Sequence, residues 1–195
     1  MAKQVWKPTT ILNPVPAAMV TCADADGKPN IITIAWTGTI NTKPPMLSIS
    51  IRKERYSYNL IKEKGEFVVN LTNKQLVRAA DFCGVKSGRN VDKFAETGLT
   101  PIKAEKVSVP LIKESPVNIE CTVKDIIPLG SHDMFIGEIK AVDVDEKLLD
   151  EKGKLCLEKA ELICYSHGEY WSLGKALGYF GFSVTKRKNL KRYKK

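Results

Sequence analysis

The chain has 195 residues, room for one domain and little more. A 43% hydrophobic fraction argues against a disordered polymer, and the apolar runs are too short for a membrane helix of about 20 residues. The formal charge of +9 is concentrated at the end: residues 186–195, KRKNLKRYKK, carry seven Lys or Arg and no acid, and subtracting these seven leaves +2 for the rest. A near-neutral body with a basic tail differs from a basic binding face, so no specific nucleic acid is expected as partner. The division is a single domain over residues 1–185 and a basic tail over 186–195, expected to be mobile. The N-terminus, MAKQVWKP, lacks the apolar stretch of a secretion signal, so a cytoplasmic location is expected.

In chain order, residues 18–23 (AMVTCA) form an apolar run of strand length, followed by an Asp-Gly hairpin signal over 24–29. Residues 30–36 read as a second strand and 46–52 as a third. In the third, Leu47, Ile49 and Ile51 alternate with Ser48, Ser50 and Arg52, so one face is buried. Pro44 and Pro45 end the strand before it. Ser57 is placed to cap a short helix that stops at Gly65, with lysines in its last turn. A strand over 66–71 and a helix over 74–83, capped by Thr72 or Asn73, come next. Residues 84–90 read as a loop, 117–127 and 134–144 as a long antiparallel pair, and 162–165 as a short strand. Strands separated by turn signals, with few helices, point to a closed or split barrel.

Lys53, Arg55, Ser57 and Tyr58 lie where a strand hands over to a helix. Ammonium and guanidinium groups, a hydroxyl and helix N-terminal amides suit a phosphate dianion; the same residues also read as a surface charge cluster with a capping serine. Ser87, Arg89 and Lys93, in CGVKSGRNVDK, offer a second basic loop, although such a loop is often only a loop. No P-loop and no G-x-G-x-x-G is present. Upstream, Thr33, Ala35, Trp36 and Thr37 supply hydroxyls and amides beside a large flat side chain, which reads either as core or as a ligand wall. A phosphate site next to such a wall fits flavin mononucleotide (FMN). His132, in a turn, is either solvated or lines a ligand site. The aromatic segment YSHGEYWSLGKALGYFGFS packs against the barrel or a partner subunit. Five widely spaced cysteines and two distant histidines give no metal-ligand spacing, so no metal is expected. No Ser-His-Asp set or carboxylate pair suggests hydrolysis.

TIAWTGT, PPMLSISIRKERYSYNLI, GEFVVNL, CGVKSGRNVDKF, GSHDMFIGEI and the closing aromatic segment together resemble the flavin reductase-like, FMN-binding split-barrel family, and more narrowly its flavoredoxin branch. The resemblance runs from about residue 14 to 183. It implies a mainly β, six-stranded Greek-key split barrel with a few short flanking helices, and a homodimer with flavin at or near the subunit interface. It implies that Thr33, Ile34, Ala35, Trp36 and Thr37 contact the ring and ribityl chain. By the same resemblance, Ser50, Lys53, Arg55, Ser57 and Tyr58 hold the ribityl chain and phosphate, Ser87, Arg89 and Lys93 approach from the second loop, and His132 lies near the flavin as the catalytic candidate. The implied function is electron transfer through bound FMN, with NADH, NADPH or a redox protein as donor. Two alternatives stay open: an NAD(P)H:flavin oxidoreductase that releases reduced flavin to a partner, and a non-catalytic module that uses the basic tail.

Overall fold

The computed structural model describes residues 1–184; the predicted tail lies outside them. Twelve strands are present among these residues: β1 Val15–Pro16, β2 Ala18–Ala23, β3 Pro29–Ile34, β4 Thr37–Thr42, β5 Pro45–Arg52, β6 Glu66–Leu71, β7 Pro101–Ile102, β8 Leu111–Ile112, β9 Val117–Pro128, β10 His132–Val144, β11 Ile163–Ser166 and β12 Glu169–Ser172. Three short helices flank them: α1 Tyr56–Lys64, α2 Val77–Val85 and α3 Lys93–Thr97.

Seven strands form one sheet in the order β3-β2-β6-β9-β10-β5-β4, and every pairing is antiparallel. Consecutive strands β3 and β4 stand at opposite edges, joined only by Ala35 and Trp36. In a flat sheet those edges would lie about 29 Å apart at about 4.8 Å per strand. Three Cα steps of about 3.8 Å reach only about 11 Å. The sheet must therefore curl until its edges meet, and the Ser50 amide donates to the Trp36 carbonyl (2.9 Å) at that seam. The result is a split barrel, with the split where β3 gives way to β4.

Residues 30–36 were expected to form one strand. The apolar pattern does continue, but it marks which residues are buried and is silent on which neighbour they pair with. The strand ends at Ile34, and Thr37 opens a separate strand against Ile49 of β5. That break gives the barrel sheet seven strands where six were expected.

All six residues of β2 are buried, because both of its faces are covered. Ala18, Val20 and Cys22 face the barrel interior with Ile32, Ile34, Leu47, Ile49, Phe67 and Phe135. Met19, one residue out of phase, packs outward with Ile31 under Ala80 and Cys83 of α2 and Phe94 of α3. On β10, Gly137 leaves room for Phe67: a Cβ there would sit 2.5 Å from the ring's Cζ.

Helix α1 begins one residue before the predicted cap. Arg55, in extended conformation, is the N-cap and lends no side-chain bond. Ser57 lies inside the first turn, buried. The helix ends as expected, at Gly65 in left-handed conformation (φ 70°) with Lys62 and Lys64 in its last turn. Asn73, not Thr72, caps the next helical stretch, accepting from the Leu76 amide (3.2 Å), and its first turn is a 3-10 turn. Helix α2 runs on through Gly84 and Val85, two residues past the prediction. The β11–β12 hairpin pairs with β1, and Tyr165 and Tyr170 meet edge to face within it.

Candidate functional site

The split opens into three adjoining cavities. The middle one, about 220 Å³, is lined by residues that include Thr33, Ile34, Ala35, Trp36, Ser50, Arg55, Gly84 and His132. A smaller recess of about 170 Å³ shares Ile32 and Arg55 with it and adds Asn30, Ser57, Ser87, Gly88, Arg89 and Lys93. A wide cavity of about 1320 Å³ shares Ala35, Trp36 and Ser50 on the other side. It adds Thr37, N-terminal residues between Trp6 and Val15, and Tyr165 and His167 from the hairpin. The predicted stretch from Thr33 to Thr37 thus lies at the junction of the middle and wide cavities, and Arg55, Ser57, Ser87, Arg89 and Lys93 of the two predicted basic groups meet at the recess.

The recess holds its side chains firmly. The Arg55 guanidinium donates to the Gly84 carbonyl (2.5 Å), pinning the start of α1 to the end of α2. Ser57 Oγ accepts from the Asn30 carboxamide (2.8 Å). Ser87 Oγ accepts from the Arg89 amide (3.3 Å). Arg89 reaches the Glu54 carbonyl (3.3 Å) and stacks over the Tyr56 ring at 5.3 Å. Among the described residues, Glu54 is the one carboxylate on this lining, and Arg52 stands 3.4 Å from it. Gly88 is a necessity of close approach: a Cβ would lie 2.1 Å from Asn30 Oδ1.

Lys93 was expected to reach in from the loop. It opens α3 instead and is buried, 4% exposed. Its ammonium donates to the carbonyls of Ile31 and Cys83, both at 2.7 Å. Desolvation, with a smaller push from Arg55, brings its pKa down to about 8.

At the other end of the middle cavity, Trp36 is exposed, so the wall reading fits better than the core one. Its ring lies 4.4 Å from that of His132. His132 opens β10 opposite Arg52, and its Nδ1 lies 3.0 Å from Ser131 Oγ. Burial, then the Arg52 charge, holds its pKa below the usual histidine range, partly offset by Glu54. Thr33 donates to the Ala80 carbonyl (2.5 Å), which ties β3 to α2.

Two predicted residues stand elsewhere. The Tyr58 side chain turns into the core against Phe135, and its hydroxyl donates to Asp133 (2.6 Å), which holds the Asp133 carboxyl below its ordinary value. Lys53 lies 3.3 Å from the same carboxylate, outside all three linings. A helix carries alternate residues to different sides, so Ser57 faces the recess and Tyr58 the core. Asn30 and Tyr56 were not foreseen, and neither carries a local signal. Gly84 and Gly88 are the two glycines of the predicted basic loop; Gly84 lines the middle cavity and Gly88 the recess.

Comparison with known proteins gives the family. Residues 12–174 match the family described as "Flavin reductase like domain". An uncharacterised protein of Archaeoglobus fulgidus is 37% identical over 125 residues, 64% of this chain and 71% of that one. Flavoredoxin of Desulfovibrio vulgaris (Miyazaki F) superposes with a TM-score of 0.88 at 35% identity, covering 94% of this chain and all of that one. Flavoredoxin from Methanosarcina acetivorans gives 0.83 at 28% identity, with the same coverage of each chain. The chain belongs to the flavin reductase-like family, on its flavoredoxin branch.

Proposed function

We propose that the cleft binds FMN and that the protein passes electrons through it. The observation that carries this reading is the adjacency of two unlike spaces. One is a recess with Arg55, Ser57, Ser87 and Arg89 about it, suited to a dianion; the other is a flat-walled cavity beside Trp36 and His132, suited to a ring. Arg55, on both linings, stands where phosphate and ribityl chain would join. The residues fit the group in a second respect, since the recess depends on Gly88 having no side chain. The kinship with two flavoredoxins supports the same reading.

Bound there, FMN would supply hydride and single-electron chemistry. The chain's own part is to hold and orient. Arg55, Ser57 and Arg89 would fix the phosphate, Ser50 and the Ala35–Thr37 segment would border the chain and ring, and Trp36 with His132 would wall the ring. Lys53 and Tyr58 are left to the support of Asp133. NADH, NADPH or a redox protein would reach the ring through the wide cavity, which opens directly on Trp36.

The working form in this proposal is a homodimer. Leu173, Leu177 and Phe180 are 61%, 97% and 106% exposed, and Trp6 and Leu12 at the other end 70% and 87%. Apolar exposure of this extent marks a surface made to be covered. Sedimentation in solution tests it: a monomer that still binds FMN tightly would defeat an interface role.

The test of function is the visible absorbance of the purified protein, followed by anaerobic addition of NADH or NADPH. A yellow protein bleached by nicotinamide supports a reductase with bound FMN. One unmoved by either points to a protein donor. A colourless protein that also fails to bind added FMN overturns the reading.

A further inference from the structure

The recess lies between the start of α1, whose Arg55, Tyr56 and Ser57 line it, and the carboxyl end of α2, which by itself is an unfavourable place for an anion. The last carbonyls of α2 carry the negative end of its dipole. Three of them have partners: Phe82 accepts from the Lys86 amide (2.9 Å), Cys83 from Lys93 Nζ (2.7 Å) and Gly84 from Arg55 Nη2 (2.5 Å). Two successive carbonyls that would repel a phosphate are thus each covered by a cation. Both cations also line the recess. Lys93 bonds Ile31 of β3 as well, so one buried ammonium clamps the end of α2 to the barrel wall under the site.

We infer that Lys93 is a positioning and specificity-determining residue: its charge neutralises the end of α2, and while it is charged the recess favours a phosphorylated flavin over an unphosphorylated one more strongly than when it is neutral. The inference rests on the flavin reading above and deepens it. Lys93 acts through the helix end and Arg55. Loss of its proton leaves the Cys83 carbonyl without a charged donor and removes one positive charge beneath the recess. The groups facing Lys93 are the thiols of Cys83 and Cys22 and the guanidinium of Arg55. Burial pushes both thiols up to about 11, so they stay neutral through the range in which Lys93, near 8, loses its proton.

The experiment compares FMN with riboflavin, which has the same ring and no phosphate. Dissociation constants for both are read from quenching of flavin fluorescence between pH 6.5 and 9.5. For the unaltered protein the ratio of FMN to riboflavin affinity is expected to fall about tenfold between pH 7 and 9.5, the equivalent of about one pKa unit of coupling. Lys93→Met, which keeps the apolar stem, is expected to show the lowered ratio already at pH 7 and no change with pH. A ratio that stays flat in the unaltered protein overturns the inference whatever the variant does. A variant that weakens both flavins equally also overturns it, since that is the mark of a merely structural lysine. If the unaltered protein binds neither flavin, the flavin reading fails and this inference with it. Riboflavin and FMN bound equally at pH 7 would sink the inference alone.

Discussion

The two ends of the cleft are built on different principles. At the recess end Arg55, Ser57, Ser87, Arg89 and Lys93 all hydrogen-bond within the chain. Their geometry is fixed before any ligand arrives, which lowers the ordering cost of binding. At the ring end Trp36 lies exposed against His132, and the wide cavity beyond is bordered by N-terminal residues that form no regular structure. Under the proposed function, the contrast would give affinity to the closed end and exchange of electrons with a second molecule to the open one. A protein that must hold a cofactor and still let a donor reach it is served by that division.

The sharpest way to break this comparison is to remove the central cation. Arg55→Ala takes away a charged donor worth about 1.5–3 kcal/mol and is expected to weaken FMN about 10- to 150-fold. Riboflavin, titrated by the same fluorescence assay, should weaken less than about threefold. Equal losses for both would mean that Arg55 serves the ring rather than the phosphate. Gly88→Ala comes next. The added Cβ collides with the Asn30 carboxamide that bonds Ser57, and FMN affinity is expected to drop about tenfold, the scale of one lost hydrogen bond. At the open end, Trp36→Ala should cost about fivefold for FMN and riboflavin alike, in keeping with about 1 kcal/mol for an aromatic contact.

Under the inferred role, Lys93 would make the fold and the site respond to pH in opposite senses. Its folded pKa of about 8 lies below its ordinary value near 10.5. Between those two values the unfolded chain binds more protons, so the contribution of Lys93 to folding stability rises as pH climbs through that window. Denaturant unfolding of the flavin-free protein at pH 7.5 and 9.5, compared with Lys93→Met, should show this rise in the unaltered chain alone. FMN binding should weaken over the same interval.

Much of the fold was legible because its signals are local. The alternation of Leu47, Ile49 and Ile51 gave β5, Gly65 ended α1, and the long pair over β9 and β10 followed from two apolar runs about a turn. What stayed hidden depends on partners distant in sequence. The end of β3 at Ile34 follows from sheet closure, which no window of residues contains. Tyr58 and Ser57 are neighbours in sequence, and only the packing of α1 on Phe135 and Asp133 sends one inward and leaves the other to the recess. Lys93 was legible as a basic residue in a basic loop. Its burial under α2, and so its role through two carbonyls, was not.

The smallest expected effect belongs to His132 and tests whether the open end is as loosely built as it looks. Burial and the Arg52 charge disfavour its protonation, so the ring is neutral at pH 7 and gains its proton only as pH falls below the usual histidine value near 6.5. Folding stability linked to this group is therefore lost towards acid, because the unfolded chain takes up the proton first. His132→Gln keeps a polar, uncharged side chain beside Trp36 and should change riboflavin affinity by no more than about twofold at pH 7, the size of a contact worth about 0.4 kcal/mol. The visible spectrum of riboflavin bound to the unaltered protein should shift as pH is lowered from 6.5 to 5, and the variant should lose that shift. Riboflavin is the right probe because it lacks the FMN phosphate, which titrates near pH 6 and would mask the change. A shift that persists in His132→Gln would place the titrating group elsewhere, and a tenfold loss of affinity at pH 7 would show that the His132–Trp36 wall holds the ring as firmly as the recess holds the phosphate.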